Sequence, residues 1–537
     1  MNRLYYGDNL TVLRDDIPSE SVDLIYLDPP FNSQANYNVL FRSPAGEKSH
    51  AQIEAFDDTW HWGDEAERAF DDVMGGQNTD AAELLRAFRS FLQENDMMAY
   101  LAMMAVRLLE LHRVSKPTGS IYLHCDSTAS HYLKLLMDAV FGVERYINEI
   151  IWQRTSAHGN ATRKFAAVHD VLLFYSKSDR PIWNQVFTPY TDAYIDEHFV
   201  HLDPDGRRFR RSDLRNPGVR PNLRYDYLAS NGRLYRPHPN GWAVSLEVMK
   251  ELDRQGRLFF PSKEDARLRK KIYLDESPGV PVTDVWADLP PIHASAQERL
   301  GYPTQKPIAL LERIIAASSN EGDVVLDPFC GCGTTIHAAQ KLKREWIGMD
   351  ITHLAISLIE KRLNDAFPGI KCEVHGTPKD VEGARALAAQ DKYQFQWWAV
   401  SLVNAVPFGG KKKGADSGID GLIYFKPDGK TTEKAIVSVK GGDNVSVAMV
   451  RDLGHVVDRE KAKMGVFITL ADSTGPMRTE AVKAGFYETP YGKFPKLQIA
   501  TIAELFEGKH PKMPWADPET FKKAAKETEG GTQDVLF

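Results

Sequence analysis

Val324-Val325-Leu326-Asp327-Pro328-Phe329-Cys330-Gly331-Cys332-Gly333-Thr334-Thr335 is an apolar run closed by an acid, a turn carrying two glycines, and the opening of a helical pattern. A short continuous apolar run reads as a strand buried on both faces. The glycines let the backbone approach a ligand just before the helix that Thr334 and Thr335 begin. Asp350 closes the next apolar run, Trp346 to Met349, about 20 residues on, a distance at which an acid reaches ribose hydroxyls. Strand, glycine turn, helix and acid together predict an open α/β sheet holding a nucleotide-like cofactor at the carboxyl ends of its strands.

About 300 residues earlier a second apolar run, Val22 to Leu27, ends in Asp28-Pro29-Pro30-Phe31. Alone, such a tetrapeptide is a rigid turn. At the carboxyl end of a buried strand it can do more. The diproline fixes the backbone so that a carbonyl and the Asp28 carboxylate both accept hydrogen bonds from the exocyclic amine of a flat base, and Phe31 offers a ring for stacking. Acceptors so placed ready the amine's lone pair for in-line attack on a methyl sulfonium, by positioning and electrostatics, without a covalent enzyme intermediate.

Short apolar runs alternate with helical patterns through the first 175 residues, with strands expected at Val22 to Leu27, Ser120 to His124, Ile147 to Trp152 and Val171 to Tyr175. Met97 to Leu111 has helical spacing interrupted by Arg107 and Glu110, and its methionines read as core. From Ser156 to Leu300 the text turns irregular, rich in Arg, Pro, Gly, Tyr and Trp. Regular character resumes at Tyr302 with a helix over Ile308 to Ser318. The expected organisation is therefore a discontinuous catalytic domain over 1–155 and 301–370, an insert over 156–300, a connector over 371–390, a smaller α/β domain over 391–510 and a polar tail over 511–537. A chain of 537 residues is long enough for two or three such domains.

The formal net charge is −7, which by itself does not suggest a polyanionic partner. Its distribution does. Asp203 to Lys271 holds 17 Lys and Arg against 9 Asp and Glu, an excess of 8 inside an otherwise acidic chain, as a phosphate-facing surface would require. Cys125, Cys330, Cys332 and Cys372 form no disulfide framework and no metal-binding spacing, so free thiols are expected. Neither a signal peptide nor a membrane-spanning run is evident, and a cytoplasmic location is expected.

With the amine-binding loop first and the glycine loop second, these residues resemble the β group of DNA amino-methyltransferases over about residues 1 to 365. The resemblance implies a Rossmann-like fold, S-adenosylmethionine as cofactor and double-stranded DNA as partner. Asp28, Pro29, Pro30 and Phe31 would hold the flipped base. Asp327, Phe329, Gly331, Gly333 and Thr334 would line the cofactor and Asp350 would take its ribose. Thr304 and Lys306, in Tyr302-Pro303-Thr304-Gln305-Lys306-Pro307, resemble a cofactor-side motif, and Asp8 in Gly7-Asp8-Asn9 resembles the acid that approaches the adenosyl ring. Phe56-Asp57-Asp58-Thr59-Trp60 is also family-like. A cytosine-C5 enzyme is excluded, because its nucleophile follows a proline and no Pro-Cys pair exists here. Asp28 at the head of the motif resembles adenine-N6 enzymes more than cytosine-N4 ones, and both bases stay open. By the same analogy the insert reads the target, with Arg207, Arg208, Arg210, Arg211, Arg215, Arg220 and Arg224 as candidate phosphate or base contacts.

The stretches Phe395-Gln396-Trp397-Trp398, Asp416-Ser417-Gly418-Ile419-Asp420-Gly421 and Val437-Ser438-Val439-Lys440-Gly441 resemble an Mrr-like restriction-endonuclease fold. That resemblance implies Asp420 as a Mg²⁺ ligand and Lys440 as the residue that orients attacking water. Ser438 stands where an acid or amide is usual, with Asp416 or Asp443 as substitutes. An active nuclease and a domain kept for DNA binding or packing are both expected forms. The whole reads as a site-specific methyltransferase of restriction-modification type. A methylase fused to an endonuclease, or a DNA-binding protein with relic sites, are the alternatives, and a homodimer and a separate restriction subunit stay open as partners.

Overall fold

The computed structural model describes residues 2–30, 61–156, 165–263, 266–293, 296, 298–300, 302, 304–408, 418–428, 431–490, 492–514 and 527, and the backbone alone of 36–42 and 48–57. Phe31, Pro303, Asp416 and the Asp58-Thr59-Trp60 part of the family-like motif lie outside the described residues.

Among the described residues the larger sheet contains β1 (Arg3–Tyr6), β2 (Val22–Leu27), β3 (Ser115–Cys125), β4 (Tyr146–Gln153), β5 (His169–Ser176), β6 (Val285–Trp286), β7 (Val324–Asp327), β8 (Glu345–Asp350) and β9 (Glu373–His375). Their spatial order is β6-β4-β5-β3-β2-β7-β8-β1-β9. The run from β3 to β9 is parallel, and β5 lies antiparallel between β3 and β4. Every residue of β2 is buried, as a central parallel strand requires. Its one acid, Asp23, is neutralised where it sits: Lys116 Nζ lies 2.7 Å and the Val324 amide 2.9 Å from its Oδ2.

Helices α1 (Asn9–Asp15), α2 (Asp96–Val114), α3 (Ile308–Ser318), α4 (Thr334–Lys341) and α5 (His353–Ala366) accompany this sheet. In α2 the Asn95 side chain caps the Met98 amide at 2.9 Å, and apolar residues are buried on nearly every side of the helix. Met98 and Met104 are core residues, and each such buried side chain stabilises the fold by about 1.5–3 kcal/mol. No described helix is long and apolar enough to cross a membrane.

Past β9 come α6 (Val381–Gln390), α7 (Lys392–Ser401) and a second sheet of β10 (Val406–Pro407), β11 (Gly421–Phe425), β12 (Glu433–Lys440), β13 (Met464–Thr469) and β14 (Leu497–Thr501) in that spatial order. The pairs β12/β13 and β13/β14 are parallel and the pairs toward β10 antiparallel. This sheet belongs to the same compact unit as the larger one, and Trp397 and Val406 share an apolar cluster with Tyr302, Cys332, Leu354 and Leu358.

Residues 185–282 form a separate compact unit, lying within the irregular 156–300 span. Arg208–Asp213 pairs antiparallel with Arg269–Tyr273, and a small core gathers Leu214, Tyr227, Tyr235, Trp242, Met249 and Leu258.

Candidate active site

Because β2, β7, β8 and β1 are adjacent and parallel, their carboxyl ends deliver four acids to one edge: Asp28, Asp327, Asp350 and Asp8. All four line a single cavity of about 650 Å³, a size suited to a nucleotide-like ligand. Phe329, Gly331, Thr334, Thr304 and Lys306 line it as well.

The glycine loop is shaped by its backbone. Gly331 and Gly333 lie at φ +49° and +73°, the left-handed region that glycine adopts without strain. A Cβ on Gly331 would stand 3.3 Å from the Tyr302 ring, and one on Gly333 only 2.7 Å from Ile359 Cγ1. The Asp350 carboxylate fastens the turn, accepting from the Gly331 amide at 3.0 Å and from the Thr352 amide and hydroxyl at 2.9 and 2.8 Å. Burial pushes its carboxyl up to about 6. Asp327 accepts from the Phe329 amide at 3.0 Å, and burial drives it up to about 7 against the hydrogen bonds from Thr335 and Phe329. Two carboxyls poised near neutrality favour a cationic ligand, whose charge would relieve their mutual repulsion.

Asp28 sits at the tip of β2 with Lys306 Nζ 2.5 Å from its Oδ2, both side chains mostly buried. Its Oδ1 has no hydrogen-bond partner among the described residues, so the carboxylate is oriented by one oxygen and open at the other. Lys306, expected on the cofactor side, thus reaches Asp28, the acid expected to bind the amine. Behind them Tyr26 Oη lies 2.8 Å from His124 Nδ1, and Arg154 Nε lies 3.0 Å from Asp170. At the tip of β1, Asp8 caps α1 and accepts from Arg107 Nη2 at 2.8 Å, while Arg107 Nε donates to Asn9 Oδ1 at 2.6 Å. Asn9 Nδ2 then donates to the Pro328 carbonyl at 2.8 Å, tying the β1 tip to the glycine loop.

In the second sheet, Asp420 is buried just before β11. Gln396 Nε2 donates to its Oδ1 and the Val439 amide to its Oδ2 at 2.6 Å. Ser438 is buried on β12, and Asp443 is exposed and bonded to Arg385. No group of three or more His, Cys, Asp or Glu that could hold a metal occurs among the described residues. Among the described residues, one carboxylate with both oxygens engaged, beside a hydroxyl, does not fit Mg²⁺, which demands a near-octahedral oxygen shell.

The Asp28-Pro29-Pro30 loop and the glycine loop in one cavity, on adjacent parallel strands, are matched by comparison with known proteins. A family described as DNA methylase, covering N6 and N4 amine methylation, matches residues 22–361. The chain belongs to that N6/N4 DNA methylase family. A second family, described as restriction endonuclease, matches residues 387–487. Among curated relatives, the type II methyltransferase M.EcaI of Enterobacter cloacae is 29% identical over 365 residues, covering 67% of this chain and 69% of its own. The type III restriction-modification enzyme StyLTI Mod subunit of Salmonella typhimurium is 27% identical over 357 residues, 64% of this chain and 50% of its own length. The DNA adenine methyltransferase YhdJ of Escherichia coli K12 is 26% identical over 363 residues, 68% of this chain and 83% of its own.

The methylase cavity brings together Asp8, Asp28, Pro29, Pro30, Thr304, Lys306, Asp327, Phe329, Gly331, Thr334 and Asp350, with Gly333 directly behind at the start of α4. Arg107 and Asn9 were missed, and the signal for Arg107 was its interruption of an apolar helix. The insert arginines divide. Arg207 is held by Asp275 at 2.8 Å and Glu276 at 2.6 Å, and Arg208 by the Phe199 carbonyl at 3.0 Å and Asp196 at 3.2 Å. Arg210 is half-buried near the Phe199 ring. Arg211, Arg215, Arg220 and Arg224 are exposed.

Proposed function

We propose that this methylase transfers a methyl group from S-adenosylmethionine to the N6 amine of an adenine flipped out of duplex DNA, at a site read by residues 185–282. The carrying observation is the cavity in which Asp28, oriented by Lys306, faces the glycine loop across adjacent parallel strands. The cofactor supplies an electrophilic methyl on a sulfonium. Asp28 accepts a hydrogen bond from the amine through Oδ1, and the diproline holds the neighbouring carbonyl in place for a second. The nitrogen lone pair forms the new N–C bond as the C–S bond breaks, and the amine's extra proton leaves to solvent. Lys306 keeps the Asp28 carboxylate aimed, and the negative cavity offsets the sulfonium charge on binding.

Two features favour adenine over cytosine: Asp28 heads the amine motif, and YhdJ is named as an adenine enzyme. The StyLTI relative is a Mod subunit, which supports a separate restriction subunit as partner, testable by co-purification from the native host. The deciding experiment is methylation-sensitive long-read sequencing of DNA from a methylase-free host expressing the protein, beside an Asp28→Ala control. N6-methyladenine at one motif, absent from the control, is expected. N4-methylcytosine would overturn the base assignment alone, and no modified base from soluble protein would overturn the reading.

A further inference from the structure

The methylase cavity is not built by the methylase domain alone. Gln394 and Asp391, at the start of α7 in the restriction-endonuclease-like region, line it together with Asp350 and Tyr6. In the sheet register Tyr6 on β1 stands opposite Asp350 on β8. The Tyr6 ring stacks on His353 with centroids 3.5 Å apart, and the His353 amide donates to Gln394 Oε1 at 3.4 Å. Burial and then the charges of Asp391 and Asp350 push the Tyr6 phenol up. These contacts fix α7 at the tips of β8 and β1, two and three strands respectively from Asp28 on β2.

Both side chains have capacity left for a ligand. Gln394 is 9% exposed, yet its Nε2 donates to nothing among the described residues. Asp391 Oδ1 caps the helix, accepting from the Tyr393 and Gln394 amides at 2.8 and 3.1 Å, and its Oδ2 accepts no described hydrogen bond. A buried amide with an unused N–H₂ and a carboxylate with an unused oxygen are the complement of a purine edge, which presents ring nitrogens beside an exocyclic amine.

We propose that Gln394 and Asp391 bind the adenosine half of S-adenosylmethionine, so that the C-terminal domain completes the cofactor site of the methylase; this rests on the function proposed above. Titration calorimetry of the full chain tests it, with S-adenosylmethionine and with 5′-methylthioadenosine, which keeps the adenosine and lacks the amino acid. Asp391→Asn preserves a capping side chain, and Gln394→Met preserves volume. Each is expected to weaken both ligands about tenfold, the loss of one well-made buried hydrogen bond. An Asp350→Ala chain should lose binding in parallel. If the unaltered chain and Asp350→Ala behave so but both α7 variants stay within twofold, this inference falls and the functional reading stands. A loss for S-adenosylmethionine but not for 5′-methylthioadenosine also overturns it. No binding of S-adenosylmethionine by the unaltered chain would bring down the functional reading itself.

Discussion

Gly333→Ala measures how tightly the glycine loop is built. The residue sits at φ +73° and ψ 34°, immediately before α4, and an added Cβ would meet Ile359 Cγ1 at 2.7 Å and Cγ2 at 3.2 Å. Left-handed backbone costs an L-residue about 1–2 kcal/mol. Ile359 is fully buried on α5, so making room costs about 1–3 kcal/mol more, for a total of about 2–5 kcal/mol. At roughly 1 °C per kcal/mol for a compact unit as long as residues 1–184 and 283–529 together, the unfolding midpoint should fall by roughly 2–5 °C. Gly331→Ala, at φ +49° with its nearest contact 3.3 Å away, carries the backbone cost and only a few tenths beyond it, and should fall by about half as much. The steric share is separable. Ile359→Ala removes both clashing atoms, so a thermal-denaturation cycle should give a favourable coupling of about 1–3 kcal/mol between the two substitutions, while the backbone cost persists in the double variant. A Gly333→Ala chain melting within 1 °C of the original, or additive effects across the cycle, would refute the close approach of loop and helix.

Asp327 and Asp350, raised by burial from an ordinary 3.8 to about 7 and about 6, bind protons more tightly folded than unfolded. Their contribution to stability is complete below about pH 4 and is lost as pH rises through 6 to 7. Asp327→Asn should therefore gain stability relative to the unaltered protein between pH 5 and pH 8 in the absence of cofactor, and a pH-independent difference in melting would sink that account. In anisotropy titrations from 50 to 200 mM salt, Arg220→Ala and Arg224→Ala should each lower the salt slope of duplex binding by about 0.9. Arg207→Ala, whose side chain serves Asp275 and Glu276, should leave that slope alone and make residues 185–282 easier to cleave by protease; the opposite pattern would reverse the assignment. Supercoiled DNA incubated with the protein and Mg²⁺ should remain uncut, since Asp420 is engaged by Gln396 and Val439, and nicking that disappears in Asp420→Asn would overturn this.

What could be read ahead of the structure was what the chain encodes locally. The buried character of β2 and β7, the glycines after Asp327 and the acid ending β8 are each set within a few residues, and each appears where the spacing puts it. Arg107 was visible only as a flaw in an apolar helix, because its partner Asp8 lies 99 residues away. The insert arginines fail for the same reason: composition counts Arg207 as a free cation, but Asp275, 68 residues on, claims it. Gln394 carried no signal at all. Its place at the cavity comes from a domain contact, which no periodicity encodes.

The order of the two loops along the chain is immaterial to the chemistry, and the sheet explains why. Val325 pairs with Leu24 and Leu326 with Ile25 in parallel register, so Asp28 and Asp327 leave the same edge side by side however much chain separates them. Joining strands across a long connection costs little more than across a short one, about 0.6 kcal/mol for each doubling of its length. The insert can therefore grow into a unit of its own, residues 185–282, between β5 and β6, without moving the strand tips that carry Asp28 and Asp327. The insert can vary while β2 and β7 keep their register, and it is that register which holds the two loops of the site together.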